Sequence, residues 1–260
     1  DDIFSPIAEE AFESNFLVSH MLVQNETGEI FNLNKYADYA HRLRMPFHSD
    51  MTQGLGNIKI NMHDNYNCVD AATFGSHKVG GPKMLGISYF NKEVFPTSKI
   101  RPLIYGSQER GVRGGTENLA FIHGSAIAIN KACSHIDIKQ AHCKMLKRVL
   151  IEKLYQNLME DDFLIVSPAN SVPSTLCLCF KNIEGESLQM VLNDMGIIVG
   201  TGSACSSGSL EPSSVLSFMK IPQEYIRGEI RISFSMDNTK EEIIYVADKI
   251  KEVYNSFKGE

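Results

Sequence analysis

Residues 15–50, NFLVSHMLVQNETGEIFNLNKYADYAHRLRMPFHSD, decide the fold of this chain. The apolar stretch at its start predicts a buried strand over residues 15–23. After a polar turn, apolar side chains recur at helical spacing over residues 33–43, and Pro46 ends that helix. Residues 46–50 then form a second candidate strand. A strand, a helix and a second strand in succession predict a βαβ unit, and therefore an α/β fold with a parallel sheet.

Candidate strands and helices continue along the rest of the chain. The helical periodicity is interrupted near His135, and we place a domain boundary there, between residues 1–135 and 136–260. A Thr-Lys-Glu-Glu capping box at 239–242 starts the last helix, whose apolar stripe reaches Phe257. The periodicity predicts further strands over 69–74, 85–90, 163–166, 175–180 and 197–199, and helices over 117–135, 138–154 and 188–195.

Composition excludes several classes of protein. The 260 residues include 25 Lys+Arg and 31 Asp+Glu, and 43% are apolar, which excludes a disordered or collagen-like chain. The formal net charge of −6 argues against a nucleic-acid partner, because such proteins need clustered cations. No apolar run reaches the roughly 18 residues of a membrane helix, and no signal peptide is visible. We therefore expect no membrane partner and a cytoplasmic location, with an organelle left open because the start of the protein looks incomplete.

Two candidate clusters follow predicted strands. Asp50 and Gln53 stand at a strand end, where ligands of open α/β sheets bind, although an Asp that caps a turn would give the same local pattern. Lys78 follows Gly75-Ser76-His77 and could form a Schiff base with an aldehyde cofactor. Taken alone, it could equally be a solvated surface lysine.

Two arginine-containing segments suit anions. Residues 106–118 contain five glycines and two arginines before a helix start, which is typical either of a phosphate-binding loop or of a solvated charged loop. Arg231 alternates with Glu229 and Ser233 on a predicted strand. Its guanidinium could bind a substrate carboxylate with two parallel hydrogen bonds, or it could pair with Glu229 on an exposed face.

The cysteines point to thiol chemistry rather than to metal binding. None of the six forms a CxxC pair, so we expect no metal site. Cys177 and Cys179 alternate within an apolar run, which places both on one strand face. Cys205 instead lies in the Gly- and Ser-rich segment 200–212, which favours a reactive thiol over an exposed spectator.

Taken together, these clusters resemble the NifS-like cysteine desulfurases, which are pyridoxal 5'-phosphate enzymes of aminotransferase class V. The resemblance implies a partial large cofactor-binding domain with a mainly parallel sheet over 1–135, and a smaller C-terminal α/β domain with a reactive cysteine over 136–260. The matching stretches are Asn25-Glu26-Thr27-Gly28, His48-x-Asp50-x-x-Gln53, Ser76-His77-Lys78-x-x-Gly81-Pro82-Lys83, Gln108-Glu109-Arg110-Gly111-x-Arg113-x-Gly115-Thr116-Glu117-Asn118, Glu184-Gly185-Glu186-Ser187-Leu188, Gly202-Ser203-Ala204-Cys205-Ser206 with Leu210-Glu211-Pro212, and Ile230-Arg231-Ile232-Ser233.

The resemblance also implies how the cofactor is held. Lys78 would bind pyridoxal phosphate covalently, and Asp50 would keep the pyridine nitrogen protonated, so that the ring acts as an electron sink. Gln53 and Asn25 would lie near the phenolic oxygen of the cofactor. Ser76 and His77 would approach the phosphate, and Thr116 would reach the phosphate of the partner subunit's cofactor in a homodimer.

The implied reaction converts L-cysteine to L-alanine and leaves a persulfide on Cys205. Arg231, with Asn25, would hold the substrate carboxylate, and Lys78 would move the substrate α-proton. His77 joins Lys78 and Cys205 among the catalytic residues. The sulfur would pass to an acceptor such as an iron–sulfur scaffold protein. A selenocysteine lyase and a non-catalytic dimeric interaction protein are the alternatives.

Three departures from the family pattern qualify this expectation. The serine that the family has two positions before the histidine is Gly75 here, and Met84 replaces a glycine after Gly-Pro-Lys. The N-terminal segment of the family, which supplies opening strands and a phosphate loop, has no counterpart in these residues. We therefore expect weak cofactor occupancy for this stretch of chain alone.

Overall fold

The computed structural model describes residues 16–202 and 212–259. Its contacts divide the chain into two compact units. The first contains Phe31–Ile136 and the described residues up to Val23, and the second contains Gln24–Ile30 and the described residues from Asp137 onward. The change of unit between Ile136 and Asp137 lies close to the predicted domain boundary near His135. Whether each unit is a domain stays a prediction.

A mainly parallel sheet forms the centre of the first unit, as the βαβ pattern predicts. In the described residues it has the order β1-β2-β3-β4, with β1 parallel to β2, β2 parallel to β3, and β4 antiparallel to β3. The strands are β1 (Val18–Met21), β2 (Phe47–Asp50), β3 (Ala71–Gly75) and β4 (Gly86–Phe90). The connection from β3 to β4 is too short for a crossover helix, which is why β4 runs antiparallel.

Helix α1 (Leu33–Arg42) connects β1 to β2 and is defined by its caps. The Asn32 side chain accepts a hydrogen bond from the Asn34 amide at 3.2 Å, so it satisfies one of the free amides at the helix start. Leu33, Ala37 and Ala40 form the buried stripe. The helix ends earlier than Pro46 requires, because Arg44 already turns the chain with a φ of 56°.

Two long helices follow, close to their predicted positions. Helix α2 (Leu119–Ser134) buries Ser125 but leaves Leu119 71% and Ile127 57% exposed. Helix α3 (Ile136–Asn157) begins after His135, which is the C-cap of α2, so the predicted break is shorter than expected. The short 3-10 helices are Ser76–Val79, Thr97–Lys99, Gln108–Gly111 and Glu160–Asp162.

The second unit is built on an antiparallel sheet whose two faces are both covered. The elements are β5 (Phe163–Ile165), β6 (Thr175–Phe180), α4 (Gly185–Asp194), α5 (Ser214–Phe218), α6 (Gln223–Ile226), β7 (Glu229–Ser233) and α7 (Lys240–Lys258). Side chains of α3, α4 and α7 pack on one face against Leu176, Leu178 and Ile230. Side chains of the short helices α5 and α6 pack on the other face with Cys177 and Cys179.

The predicted strand over 197–199 is wrong. The chain there makes an isolated bridge between Gly200 and Arg231, with N···O distances of 2.9 and 2.7 Å. One bonded pair is too short to form a strand, because the chain continues to Gly202 without extending the ladder. The capping box is confirmed, since Thr239 and Glu242 bond each other's amides at 3.2 and 2.9 Å.

In the part of the chain that the structure describes, no helix combines the length and apolarity needed to cross a membrane. Nor do its His, Cys, Asp and Glu side chains gather in groups of three that could bind a metal ion.

Candidate active site

In the first unit, two predicted residues stand at the same edge of the sheet. Asp50 ends β2, and Lys78 lies in the one-turn helix that directly follows β3. Because β2 and β3 are neighbouring parallel strands, with Asp50 opposite Thr73, their carboxyl ends meet at one edge. Asp50 Oδ1 accepts a hydrogen bond from the Thr52 amide at 2.9 Å. This edge is where ligands of open α/β sheets bind.

The segment before Lys78 explains why glycine stands at position 75. The ring of His77 lies against the Gly75 backbone, so a Cβ there would come within 2.7 Å of His77 Cε1. A serine at this position would displace the His77 ring. Ser76 is buried, and its hydroxyl donates to the Pro82 carbonyl at 3.2 Å and accepts from Ser125 Oγ at 2.9 Å. A phosphate contact of Ser76 would therefore replace one of these bonds.

The other predicted residues of this unit lie at or near the surface. Lys78 and His77 are exposed, as is Thr116, which precedes the N-cap residue Asn118 of α2. Gln53 is partly buried, and its carbonyl accepts a hydrogen bond from Asn57 at 2.9 Å. The roles assigned to these four residues stay predictions.

A histidine that the sequence analysis gave no role connects three strands of this unit. His48 Nδ1 lies 2.8 Å from Ser19 Oγ of β1, and Nε2 lies 3.2 Å from Thr73 Oγ1 of β3. Burial lowers the pKa of His48, and the nearby charge of Asp50 opposes that shift only in part. A neutral ring at this place keeps its two hydrogen bonds, and it fixes the strand that ends in Asp50.

In the second unit, the two residues predicted to hold a carboxylate are in contact. Arg231 lies on β7, and its Nη1 donates to the main-chain oxygen of Asn25 at 3.1 Å. Gly200 gives the guanidinium room, because a Cβ there would come within 2.9 Å of Arg231 Nη2. The guanidinium therefore lies between the Asn25 carbonyl, to which it is bonded, and the Gly200 backbone.

The turn that carries Asn25 is fixed by its own hydrogen bonds. Gln24 Oε1 accepts from the amides of Glu26 and Thr27 at 2.5 and 2.7 Å, and Gly28 has a φ of 75°. Ser167 Oγ donates to the Thr27 carbonyl at 2.7 Å. This turn belongs to the second unit, so Asn25 is ordered together with Arg231.

Two buried carboxylates lie beside this pair. Glu229, two residues before Arg231 on β7, is 5% exposed, and Glu26 is 8% exposed. Glu26 Oε2 accepts a hydrogen bond from Ser213 Oγ at 2.5 Å. Glu229 accepts from the Gly202 amide, and a Cβ at Gly202 would overlap Glu229 Oε2 and lie 3.1 Å from Ser213 Cβ. The alternative of an exposed Arg231–Glu229 pair is therefore wrong.

Burial raises the pKa of Glu229 to about 7, and the charge of Glu26 adds to the increase. Arg231 lowers it, as do hydrogen bonds from Cys177 and from the Gly202 amide. The pKa of Cys177 is raised chiefly by its hydrogen bond with Cys179, and then by burial and by the charge of Glu229. The Cys177 thiol therefore stays protonated, and its Sγ lies 3.8 Å from Glu229 Oε1.

Cys205 lies outside the described residues, as do all of residues 203–211. Its predicted encounter with the amine of Lys78 stays a prediction. The carboxylate pair is not evident from the sequence, because Glu26 and Glu229 are 203 positions apart (229 − 26). Glu26 stands in a matching stretch, but the resemblance implies no role for it. The available signal was a Glu on a strand whose alternate residues are apolar.

Comparison with known proteins finds similar proteins over most of the chain. The family model described as aminotransferase class V matches residues 6–246. A cysteine desulfurase of Gluconacetobacter diazotrophicus is 37% identical, over 89% of this chain and 56% of its own length. The cysteine desulfurase NifS of Azotobacter vinelandii is 35% identical, over 87% of this chain and 55% of its own length.

Solved structures give the same picture. A structure described as a NifS-like protein is 34% identical, with a TM-score of 0.80, and the match covers 92% of this chain and 61% of the other. A NifS-like protein from Rickettsia africae has a TM-score of 0.79 at 28% identity, over 92% of this chain and 62% of the other. The chain thus spans little more than half the length of the first two relatives named here.

Proposed function

Since this chain belongs to the aminotransferase class V family, with cysteine desulfurases among its relatives, we propose that it supplies the carboxyl-terminal part of a cysteine desulfurase. The protein would convert L-cysteine to L-alanine and leave the sulfur on Cys205 for an acceptor protein, such as an iron–sulfur scaffold. The observation that carries the proposal is the placement of Asp50 and Lys78 at the carboxyl edge of two neighbouring strands.

The residues at this edge fit pyridoxal phosphate by their chemistry. A primary amine on a short helix and a carboxylate at the adjacent strand end are the two groups that an aldehyde and a pyridine nitrogen require. Lys78 would hold the aldehyde, Asp50 the ring nitrogen, and His77, Ser76 and Thr116 the phosphate. Gln53 and Asn25 would bind the phenolic oxygen. When bound, the cofactor supplies an electron sink for the substrate's α-carbon.

The second unit would bind the carboxylate of the substrate. The Arg231 guanidinium is fixed by the Asn25 carbonyl, so less conformational freedom is lost when an anion binds. A guanidinium can donate two parallel hydrogen bonds to a carboxylate. Arg231, together with Asn25, therefore orients the amino acid.

Two residues of this chain would move the proton and the sulfur. The amine of Lys78, once it is no longer bonded to the cofactor, would take up the α-proton of the substrate and return a proton during alanine formation, with His77 nearby on the same segment. The Cys205 thiolate would form an S–S bond with the substrate sulfur as the C–S bond breaks. The products are alanine and a Cys205 persulfide.

We further propose that the protein is a homodimer. The support is that large apolar side chains of the first unit are exposed, since Leu103 is 96%, Tyr105 80% and Leu119 71% exposed. These residues flank Thr116, which would reach the partner's cofactor. The proposed location is the cytoplasm, where reducing conditions keep thiols available. Sedimentation of the full-length protein, with Leu103→Glu as the dissociating variant, tests the dimer.

The decisive experiment is the reaction of the full-length protein with L-cysteine. Alanine and protein-bound persulfide should form in equal amounts, and Cys205→Ala should abolish the persulfide while the cofactor absorption is retained. Rates with selenocysteine separate the desulfurase from a selenocysteine lyase. A full-length protein that binds the cofactor and forms no alanine would contradict the proposal and favour a non-catalytic interaction protein.

A further inference from the structure

The charge around Arg231 depends on a single proton. Glu229 and Glu26 are both buried, and both lie close enough to interact electrostatically. With both carboxylates ionised, the cluster with Arg231 has a net charge of 1 − 2 = −1. With one proton on Glu229, the net charge is 1 − 1 = 0. An anionic ligand therefore meets two different electrostatic environments.

The groups that face Glu229 come from four parts of the second unit. Hydrogen bonding and burial raise the pKa of Cys177, so its thiol contributes no charge. The Glu26 carboxylate opposes ionisation of Glu229, and the Arg231 guanidinium favours it. The groups are Cys177 and Cys179 on β6, Glu26 on the turn 24–30, Arg231 on β7, and the amide of Gly202.

Geometry holds Glu229 in place in either charge state. Its carboxylate lies against Gly202, where a Cβ would overlap it, and Cys177 Sγ lies 3.8 Å from Oε1. Gly202 in turn lies against Ser213, whose hydroxyl is bonded to Glu26. The two carboxylates are therefore connected through a packed, hydrogen-bonded set of residues, and neither can easily turn to solvent.

We propose that the buried Glu229 carboxyl group, which is packed against Gly202 and lies near the buried Glu26, carries a proton when Arg231 binds the carboxylate of the substrate, and that this proton keeps the guanidinium able to bind. When the proton is released to solvent, two carboxylates balance the guanidinium and carboxylate binding weakens. The inference rests on the proposed role of Arg231. Glu229 acts through that side chain, so it is a positioning residue.

The test uses propionate, an anion with no amine and no thiol that does not titrate between pH 6 and 8.5. Its dissociation constant is measured by ligand-observed NMR on the full-length protein with its cofactor. In the unaltered protein, the constant should rise about tenfold from pH 6 to pH 8.5, because a buried carboxylate becomes charged beside the guanidinium. Glu229→Gln, which is neutral at every pH, should bind propionate with the pH 6 affinity throughout.

Two further variants separate electrostatics from packing. Glu26→Gln should move the midpoint of the pH dependence to lower pH, because the charge that opposes ionisation of Glu229 is removed. Glu241→Gln, an exposed site on α7, should follow the unaltered protein. An effect of packing alone would change the affinity by the same factor at every pH.

The outcomes distinguish this inference from the proposed function. A propionate affinity that is independent of pH in the unaltered protein overturns the inference, as does a pH dependence that persists in Glu229→Gln or the absence of propionate binding at pH 6. Alanine release is measured on the same preparations. If alanine is not formed but the propionate titration is as described, only the proposed reaction fails.

Discussion

Most candidate residues of the first unit are exposed, whereas Arg231 and Asn25 of the second unit are half-buried beside two buried carboxylates. Lys78, His77 and Thr116 are exposed, while Glu229 is 5% exposed and Arg231 is bonded to the Asn25 carbonyl. An amine that forms covalent bonds and moves protons needs freedom to reach its partners. A site that recognises a carboxylate needs fixed charges in a low dielectric. In the proposed reaction, the two sets of residues would serve different steps.

The first prediction concerns Lys78, whose removal should abolish most of the activity and leave the stability of the fold unchanged. Lys78→Ala in the full-length protein should lower the rate of alanine formation by about 10³-fold or more, because the covalent attachment and the proton carrier are both lost. The free energy of unfolding should change by less than about 0.5 kcal/mol, since the side chain is exposed. Lys92→Ala, at an exposed site after β4, is the control that should retain activity. Equal losses in the two variants would contradict the assignment.

The second prediction contrasts packing in the two units. A Cβ at Gly228 would overlap the backbone oxygen of Phe180, where β7 approaches β6. Gly228→Ala should therefore lower the free energy of unfolding by about 4 kcal/mol, measured by urea denaturation. At Gly86 on β4, a Cβ meets no atom within 4 Å. Gly86→Ala should leave stability within about 1 kcal/mol of the unaltered protein, and a larger loss there would refute the contrast.

The third prediction concerns pH and the buried carboxylate. The pKa of Glu229 rises from 4.5 to about 7 on folding, so the folded state binds a proton more tightly than the unfolded state. Stability therefore falls as the pH rises from about 4.5 to about 7, and the loss persists above that range. Glu229→Gln removes this loss. It should be up to about 3 kcal/mol more stable than the unaltered protein at pH 8, and about equal at pH 5.

Urea unfolding at the two pH values measures this difference. Glu241→Gln serves as the exposed control, and its stability relative to the unaltered protein should be the same at pH 5 and at pH 8. If Glu229→Gln were less stable than the unaltered protein at pH 8, the electrostatic account of the cluster would be wrong, and hydrogen bonding by the ionised carboxylate would be the stronger effect.

The smallest change in stability is expected for the hydrogen bond between the Ser125 and Ser76 hydroxyls, two residues before Lys78. Ser125 Oγ of α2 donates to Ser76 Oγ at 2.9 Å. Ser125→Ala should cost about 1 kcal/mol of unfolding free energy, the usual net value of one hydrogen bond. Ser134→Ala, at an exposed site on the same helix, should cost less. Equal costs would show that the buried bond contributes nothing beyond helix propensity.

Sequence periodicity predicts the fold better than it predicts the second half of the site. The βαβ stretch is readable because strand and helix periods are local, and Asp50 and Lys78 follow from their positions after strands. The buried carboxylates have no such signal, because burial of Glu229 depends on α5 and α6, which are five and four residues long. Helices that short show no period. The approach of Glu26 to Ser213 depends on contacts 187 positions apart, which no local pattern encodes.

The turn 24–30 limits how the two compact units could be produced as separate fragments. A fragment starting at residue 137 would lack seven residues of its own compact unit. The Ser167 hydroxyl would lose its acceptor, and the Arg231 guanidinium would lose the Asn25 carbonyl. No single cut separates the halves cleanly, so a split version would need this short peptide supplied in trans or grafted back by circular permutation.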